Sequence, residues 1–105
     1  MDEGAIAAAL QRAPGWQRAG DVIRRRFELR DFAEALVFVN RVGALAEAAG
    51  HHPDIDIRYN AVTLALTTHD AGGLTAKDFD LARAVSMEMG DATWPPSPST
   101  RDAPA

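Results

Sequence analysis

The chain has 105 residues, a length suited to one domain, and its hydrophobic share of 47% and charged share of 25% are ordinary for a globular protein. The net charge of −4 argues against nucleic acid as the main partner, and the lack of cysteine excludes disulfides and thiolate chemistry. No apolar run approaches the ~20 residues that span a bilayer, and the acidic N-terminus does not resemble a secretory signal. These features favour a cytoplasmic enzyme or binding module.

The first thirty residues predict a short helix and two strands. Asp2 and Glu3 stand at the positive end of the helix, and a Pro-Gly pair ends it. In the second strand the run Arg24-Arg25-Arg26 favours the alternating solvent face of a strand over a nucleic-acid contact. The expected bounds are 2–12 for the helix, and 16–18 and 22–29 for the strands.

A long helix follows. Asp31 and Glu34 form a capping-box pattern that predicts a helix from residue 32 to about residue 49, and Gly50 is suited to end it. Its apolar residues form two adjacent stripes, which is more than packing against one sheet requires. Either the helix is deeply buried or the second stripe meets another subunit. The stripes are Phe32, Leu36, Val39, Ala46 and Phe38, Val42, Leu45, Ala49.

Residues 54–68 predict a hairpin, because their alternation of apolar residues changes phase after Tyr59. A two-residue turn at Asn60-Ala61 explains the change and pairs Tyr59 with Val62. If the same pairing extends beyond Pro53, His52 and His69 become cross-strand neighbours.

A second capping box, formed by Thr75 and Asp78, predicts a helix from residue 76 to about residue 89. The Pro-rich residues 93–105 are expected to form a flexible tail beyond a single domain of residues 1–92. The whole predicts an α+β fold: a four-stranded antiparallel sheet with two main helices on one face, plus a short N-terminal helix, in the order α-β-β-α-β-β-α.

All three histidines fall within one short window, and three interpretations are open. His51 and His52 could end the long helix while His69 lies on the surface. Three histidines with an open position also suit catalytic zinc, although adjacent residues do not easily turn to one ion. The hairpin pairing favours the third interpretation, which is metal-free acid–base chemistry with one imidazole giving a proton and another accepting one.

The pattern Glu47-x3-His51-His52-Pro53-x5-Tyr59-x9-His69-x8-Asp78 resembles the signature of the pterin-4a-carbinolamine dehydratases. The likeness covers roughly residues 5–89. It implies the same α+β fold and the loss of water from a 4a-hydroxytetrahydropterin, which gives a quinonoid dihydropterin that is recycled for aromatic amino acid hydroxylases. It implies no metal and no organic cofactor.

The resemblance also implies roles for residues. The catalytic positions fall on His51, His52 and His69. Asp78 is assigned to the site, but its role as a capping-box acid is an equal alternative, and Trp16 either flanks the pterin or fills the core. The residues implied to contact the substrate are Glu47, Pro53, Thr68, Asp70, Ala71, Lys77 and Asp78; Lys77 stands where some relatives carry arginine.

Members of this family are dimers or tetramers, joined by sheet edges or by their long helices. The resemblance therefore implies a homodimer or homotetramer acting on a small reduced pterin, with phenylalanine hydroxylase as a functional partner and no nucleic-acid or membrane partner. The rival from another class is a non-enzymatic scaffold, coactivator or assembly factor on the same fold. Retention of all three histidines favours the enzyme, and a dual role stays open.

Overall fold

Four antiparallel strands and three α-helices form the part of the chain that the computed structural model describes, residues 1–88. The α+β fold and its element order are confirmed. The expected tail and the domain boundary at residue 92 lie outside the described residues. The elements are α1 (Glu3–Gln11), β1 (Gln17–Ala19), β2 (Val22–Glu28), α2 (Phe32–Ala49), β3 (Asp54–Arg58), β4 (Ala61–Leu66), a short 3-10 helix (His69–Ala71) and α3 (Ala76–Glu88).

The sheet has the strand order β1-β2-β4-β3, so β1 and β3 are its edges. Alternation buries one face: Ile23 and Phe27 of β2 are at most 4% exposed, whereas Arg24 and Arg26 between them are exposed. The buried face of β4 and the inner sides of α2 and α3 complete one core. Fully burying each large apolar side chain there contributes about 1.5–3 kcal/mol. No helix within residues 1–88 is long and apolar enough to cross a membrane.

The long helix α2 begins and ends at the predicted residues. Its N-terminus is capped by Asp31, whose Oδ1 accepts the backbone N–H of Glu34 at 2.9 Å. Its two apolar stripes are each covered only in part: Phe38 is 1% exposed and packs on Phe27 with ring centroids 4.7 Å apart, and Ala46 of the stripe that begins at Phe32 is 2% exposed. Phe32 and Leu36 of that same stripe are 46% and 42% exposed. The helix is therefore not buried all round, and the exposed residues at its start, Phe32 and Leu36, are available to a partner.

The predicted hairpin register was wrong by two residues. The turn falls on Tyr59-Asn60, so Arg58 pairs with Ala61 and Ile57 pairs with Val62. Tyr59 is in the turn with a φ of 53°. This left-handed backbone conformation is usually occupied by Asn or Gly in two-residue hairpin turns. A two-residue shift keeps the side chains of β3 and β4 on their predicted faces, whereas Tyr59 moves into the turn. It does remove the ladder pairing of His52 with His69, which lie beyond the ends of β3 and β4.

Trp16 belongs to the core, as the second of its two interpretations predicted. The side chain is 5% exposed and meets Phe27 edge to face, with ring centroids 6.3 Å apart. Its Nε1–H donates to the hydroxyl of Ser86 on α3 at 3.3 Å. The indole thus joins the start of the sheet to the last described helix.

Candidate active site

The three histidines line a single cavity of about 280 Å³, to be called the histidine cavity. The chain segment after α2 supplies His51 and His52, and the segment after β4 supplies His69. Small-molecule pockets in proteins have volumes of about 300–1,000 Å³, so this cavity suits a small ligand. The remaining lining residues are Gly50, Thr67, Thr68, Asp70 and Lys77.

The end of α2 fixes the backbone of His51. Gly50 adopts the left-handed conformation, with φ 64°, that residues with a Cβ rarely take. Its N–H donates to the carbonyl of Glu47, and the N–H of His51 donates to the carbonyl of Ala46 at 3.1 Å. This is the hydrogen-bond pattern of a Schellman motif. The signal that stops the helix therefore also places the first histidine.

A buried carboxylate fixes the ring of the same histidine. Nε2 of His51 lies 2.5 Å from Oδ1 of Asp78, and the exposed fractions of the two side chains are 11% and 0%. Because a carboxylate offers acceptors alone, the imidazole donates from Nε2. Its remaining ring atom, Nδ1, is then the proton acceptor of the neutral ring.

The second oxygen of Asp78 is held by α3 and the preceding loop. Oδ2 accepts the hydroxyl of Thr68 at 2.9 Å and the backbone N–H of Thr75 at 3.0 Å. Since the Thr68 hydrogen goes to the carboxylate, the Thr75 hydroxyl donates to Thr68 over 2.7 Å. Asp78 is thus both the capping-box acid and the partner of His51, so the two roles considered for it are compatible.

His52 and His69 are far more accessible. Nε2 of His52 lies 2.7 Å from Oε2 of Glu47, and both side chains are more than 60% exposed, at 63% and 79%. His69 is exposed at the start of the 3-10 helix, and no hydrogen-bond partner for its ring is found within residues 1–88. The cavity therefore has one imidazole, that of His51, fixed by a buried carboxylate, and two imidazoles that are accessible to solvent.

The other residues predicted for the site divide into three groups. Thr68, Asp70 and Lys77 line the cavity, while Glu47 and Asp78 contact it through a histidine. Pro53 and Ala71 neighbour lining residues without lining the cavity themselves. Three contributors were missed as site residues: Gly50, Thr67 and Thr75. Only the first and last gave a sequence signal, as helix-terminal residues.

A second cavity, of about 360 Å³, lies beside the first and shares His51 and Lys77 with it. Its wall is mostly small and aliphatic, with Leu45, Ala48 and Ala49 from α2. Within residues 1–88 no three His, Cys, Asp or Glu side chains are grouped so that they could hold a metal ion.

The fold and the cavity define an α+β protein with a cavity lined by three histidines. The family model for pterin 4 alpha carbinolamine dehydratase matches residues 1–87, and the chain belongs to this family. A protein of Thermomicrobium roseum is 55% identical over 86 residues, covering 82% of this chain and 92% of that protein. One of Chloroflexus aurantiacus is 58% identical over 90 residues, covering 86% and 97%. Both are provisionally named pterin-4-alpha-carbinolamine dehydratases.

Solved structures support the same fold. The structure of a "transcriptional coactivator/pterin dehydratase" from Brucella melitensis superposes with a TM-score of 0.82 at 33% identity, covering 86% of this chain and 98% of that one. A pterin dehydratase-like protein described as a RuBisCO assembly factor in the alpha-carboxysome has a TM-score of 0.59 at 23% identity, covering 73% and 89%. The second likeness concerns the fold alone.

Proposed function

We propose that this chain is a hydro-lyase that dehydrates 4a-hydroxytetrahydropterin to quinonoid dihydropterin. The observation that carries the proposal is one cavity lined by three histidines, one of them locked to a buried carboxylate. The reaction needs a proton removed from N5 and a proton delivered to the hydroxyl on C4a, after which the C4a–O bond breaks and water leaves. The N5 lone pair expels the hydroxyl, so acid and base groups are sufficient.

We assign the base role to His51. Asp78 holds its Nε2–H, leaves Nδ1 to accept the N5 proton, and stabilises the imidazolium that forms, as the carboxylate does in serine-protease triads. His69 then delivers the proton to the departing hydroxyl, since its exposed ring can regain a proton from water. His52 and Lys77 serve to hold the substrate at the rim. Acid–base groups placed in this way typically contribute about 10²–10⁴-fold in rate.

The decisive experiment is a coupled assay in which phenylalanine hydroxylase generates the carbinolamine and its decay is followed spectroscopically. The protein should accelerate the decay, and His51→Ala and His69→Ala should each remove most of the acceleration, by about 10²-fold or more. Asp56→Asn is the matched control, because Asp56 is exposed on β3 and is not among the residues that line the histidine cavity. Single variants that stay fully active would contradict the site assignment. Loss of activity on chelation with recovery on zinc addition would support a metal site instead.

The cellular role belongs to the same proposal. Its product would be reduced again to serve an aromatic amino acid hydroxylase, with phenylalanine hydroxylase as the functional partner and the cytoplasm as the location. Residues 1–92 would form the single working domain. The rival role is that of a protein-binding scaffold, supported by the description of the Brucella melitensis relative as a transcriptional coactivator. An inactive wild type in the coupled assay would favour that role.

We also propose that the protein is a homo-oligomer that uses the β3 edge. Six large apolar side chains are exposed at this edge and at the start of α2, and they will be called the edge patch. The rings of Phe32 and Tyr59 stack with centroids 6.4 Å apart and connect the helix to the hairpin turn. β3 pairs with β4 alone, so one row of its backbone groups is open to a second copy. The edge patch is Phe32, Leu36, Val37, Ile55, Ile57 and Tyr59.

A further inference from the structure

Three consecutive arginines on β2 have no part in the proposed dehydration. Arg24 and Arg26 are exposed on the sheet face that faces away from the core. Arg25 lies between them and points to the opposite face, between the buried Ile23 and Phe27, where it is half-buried. The run therefore alternates as expected for a strand, with Arg24 and Arg26 on the solvent face and Arg25 on the other.

The contacts of Arg25 in the described part of the chain are with neutral groups. Its Nη1 donates to the carbonyl of Pro14 at 3.3 Å and to the hydroxyl of Ser86 at 3.1 Å, and its Cζ lies 4.6 Å from the Phe27 ring centroid. Within residues 1–88 no carboxylate lies within ion-pair distance of it. Burial lowers the pKa of the guanidinium because the charged form loses hydration. An anion beside this cation would offset that loss.

The three arginines line one cavity of about 420 Å³, to be called the arginine cavity. Its other lining residues are Gly15, Gln17 and Thr63, so no acidic side chain of the described part of the chain lines it. Arg24 has no ion-pair partner within residues 1–88, whereas Arg26 lies 3.2 Å from Glu28. Of the three arginines at this cavity, Arg24 and Arg25 therefore have no counter-charge among residues 1–88, in a chain whose net charge is −4.

A glycine makes room for the half-buried guanidinium. A Cβ atom on Gly15 would lie 2.9 Å from both Cζ and Nε of Arg25, a distance too short for a normal contact. The backbone of Gly15 has a φ of 90°, which a residue with a side chain rarely adopts. The loop before β1 is therefore shaped around the flat face of the guanidinium.

We propose that the arginine cavity binds a phosphoryl group, either free phosphate or the phosphate ester of a small molecule. Guanidinium groups donate paired hydrogen bonds that match the oxygens of phosphate, and Gln17 and Thr63 add neutral donors. More than one unpaired arginine suits a dianion better than a single carboxylate. This cavity shares no lining residue with the histidine cavity, so the proposal goes beyond the dehydratase function and does not depend on it.

The test is calorimetric titration of the full chain with inorganic phosphate and, separately, with phenyl phosphate, each at constant ionic strength set with KCl. Saturable binding should be weakened about tenfold or more by Arg24→Ala, because charge-assisted hydrogen bonds to the anion are lost. Arg25→Lys keeps the positive charge but loses the paired N–H donors of the guanidinium, and it should also weaken phosphate binding. Arg58→Ala is the matched control, since Arg58 lies on the same open sheet face at β3 and is paired with Asp56.

Comparison of the two probes distinguishes a site for free phosphate from a site for a phosphate ester. Equal affinity for both probes indicates a free-phosphate site, and tighter binding of phenyl phosphate indicates an ester. No saturable binding of either probe, or equal weakening by Arg24→Ala and Arg58→Ala, would overturn the proposal. Binding of a single-stranded oligonucleotide that depends on Arg24, without binding of either phosphate probe, would overturn it in favour of a nucleic-acid contact. Dehydratase activity should be the same in Arg24→Ala as in the wild type.

Discussion

Nε2 of His51 lies 2.5 Å from Oδ1 of Asp78, although the two residues are 27 positions apart in the chain. The carboxylate is fully buried and its other oxygen is bound by Thr68 and Thr75. Its direction is therefore set by α3 and the loop before it, and the direction of the imidazole follows. This contact joins the helix that precedes the site to the helix that follows it.

We predict that Asp78→Asn lowers kcat by at least about tenfold while changing KM much less, because the amide cannot hold His51 in the same tautomer. It should also destabilise the fold by about 1–3 kcal/mol, since a buried hydrogen-bond network loses an acceptor. Stopped-flow kinetics and denaturant unfolding measure the two effects. In wild-type protein, nitrogen NMR shifts should show the proton of neutral His51 on Nε2. Finding it on Nδ1 would contradict the positioning role.

We expect Glu47→Gln to have a much smaller effect than Asp78→Asn. The contact between Glu47 and His52 is short, at 2.7 Å, but both side chains are mostly exposed. Exposed ion pairs are worth about 0–1 kcal/mol, so kcat/KM should fall by about fivefold or less. The same kinetic assay measures it. A loss as large as that of Asp78→Asn would show that Glu47 has a direct part in the chemistry.

Ile57→Lys should weaken self-association. The side chain is 38% exposed in the middle of the edge patch, and a second copy would cover it. Light scattering coupled to size-exclusion chromatography should show a shift from oligomer to monomer, or a dimer at least about tenfold weaker. Met87→Lys is the matched control, because Met87 is 81% exposed and lies outside the edge patch. A monomeric wild type at micromolar concentration would end the oligomer proposal.

The ion pair between Glu3 and Arg18 should make stability depend on pH. The hydrogen bond from Arg18 holds the pKa of Glu3 below its ordinary value of 4.5, and Arg18 contacts both carboxylate oxygens. A lowered pKa in the fold means that the pair stabilises above pH 4.5 and that this contribution is lost as pH falls through the folded pKa.

Thermal unfolding of wild type and Glu3→Gln across this range measures the effect. The gap in Tm should be present at about pH 7 and should close towards about pH 3. Glu28→Gln, a second exposed glutamate paired with an arginine, serves for comparison. A gap that widens as the pH falls would contradict the predicted sign.

Local signals were sufficient for most of the fold. The ends of α2 could be predicted because Asp31 and Gly50 make their capping hydrogen bonds to backbone groups only three or four residues away. The hairpin register could not, because the choice of turn depends on distant contacts. Asn60 is bound to Leu29 of the chain before α2 through both its side chain and its carbonyl, and Tyr59 takes the positive φ while its ring stacks on Phe32.

In the site, too, local sequence signals were sufficient for some features and distant contacts decided others. The three histidines could be identified from their spacing and from the family pattern, and they do line one cavity. The ladder pairing used to bring two of them together was wrong. The hydrogen bonds of Thr68 and Thr75 to one another and to Asp78 could not be read from the sequence, because they form only when the loop after β4 folds onto the start of α3.

Under the proposed function, the contact between His51 and Asp78 makes turnover depend on the position of α3. If the first turn of α3 frays, His51 keeps its Schellman backbone bonds but loses the carboxylate that orients its ring. Turnover would then fade while the sheet and α2 are still folded, so inactivation on warming should come before the main unfolding transition.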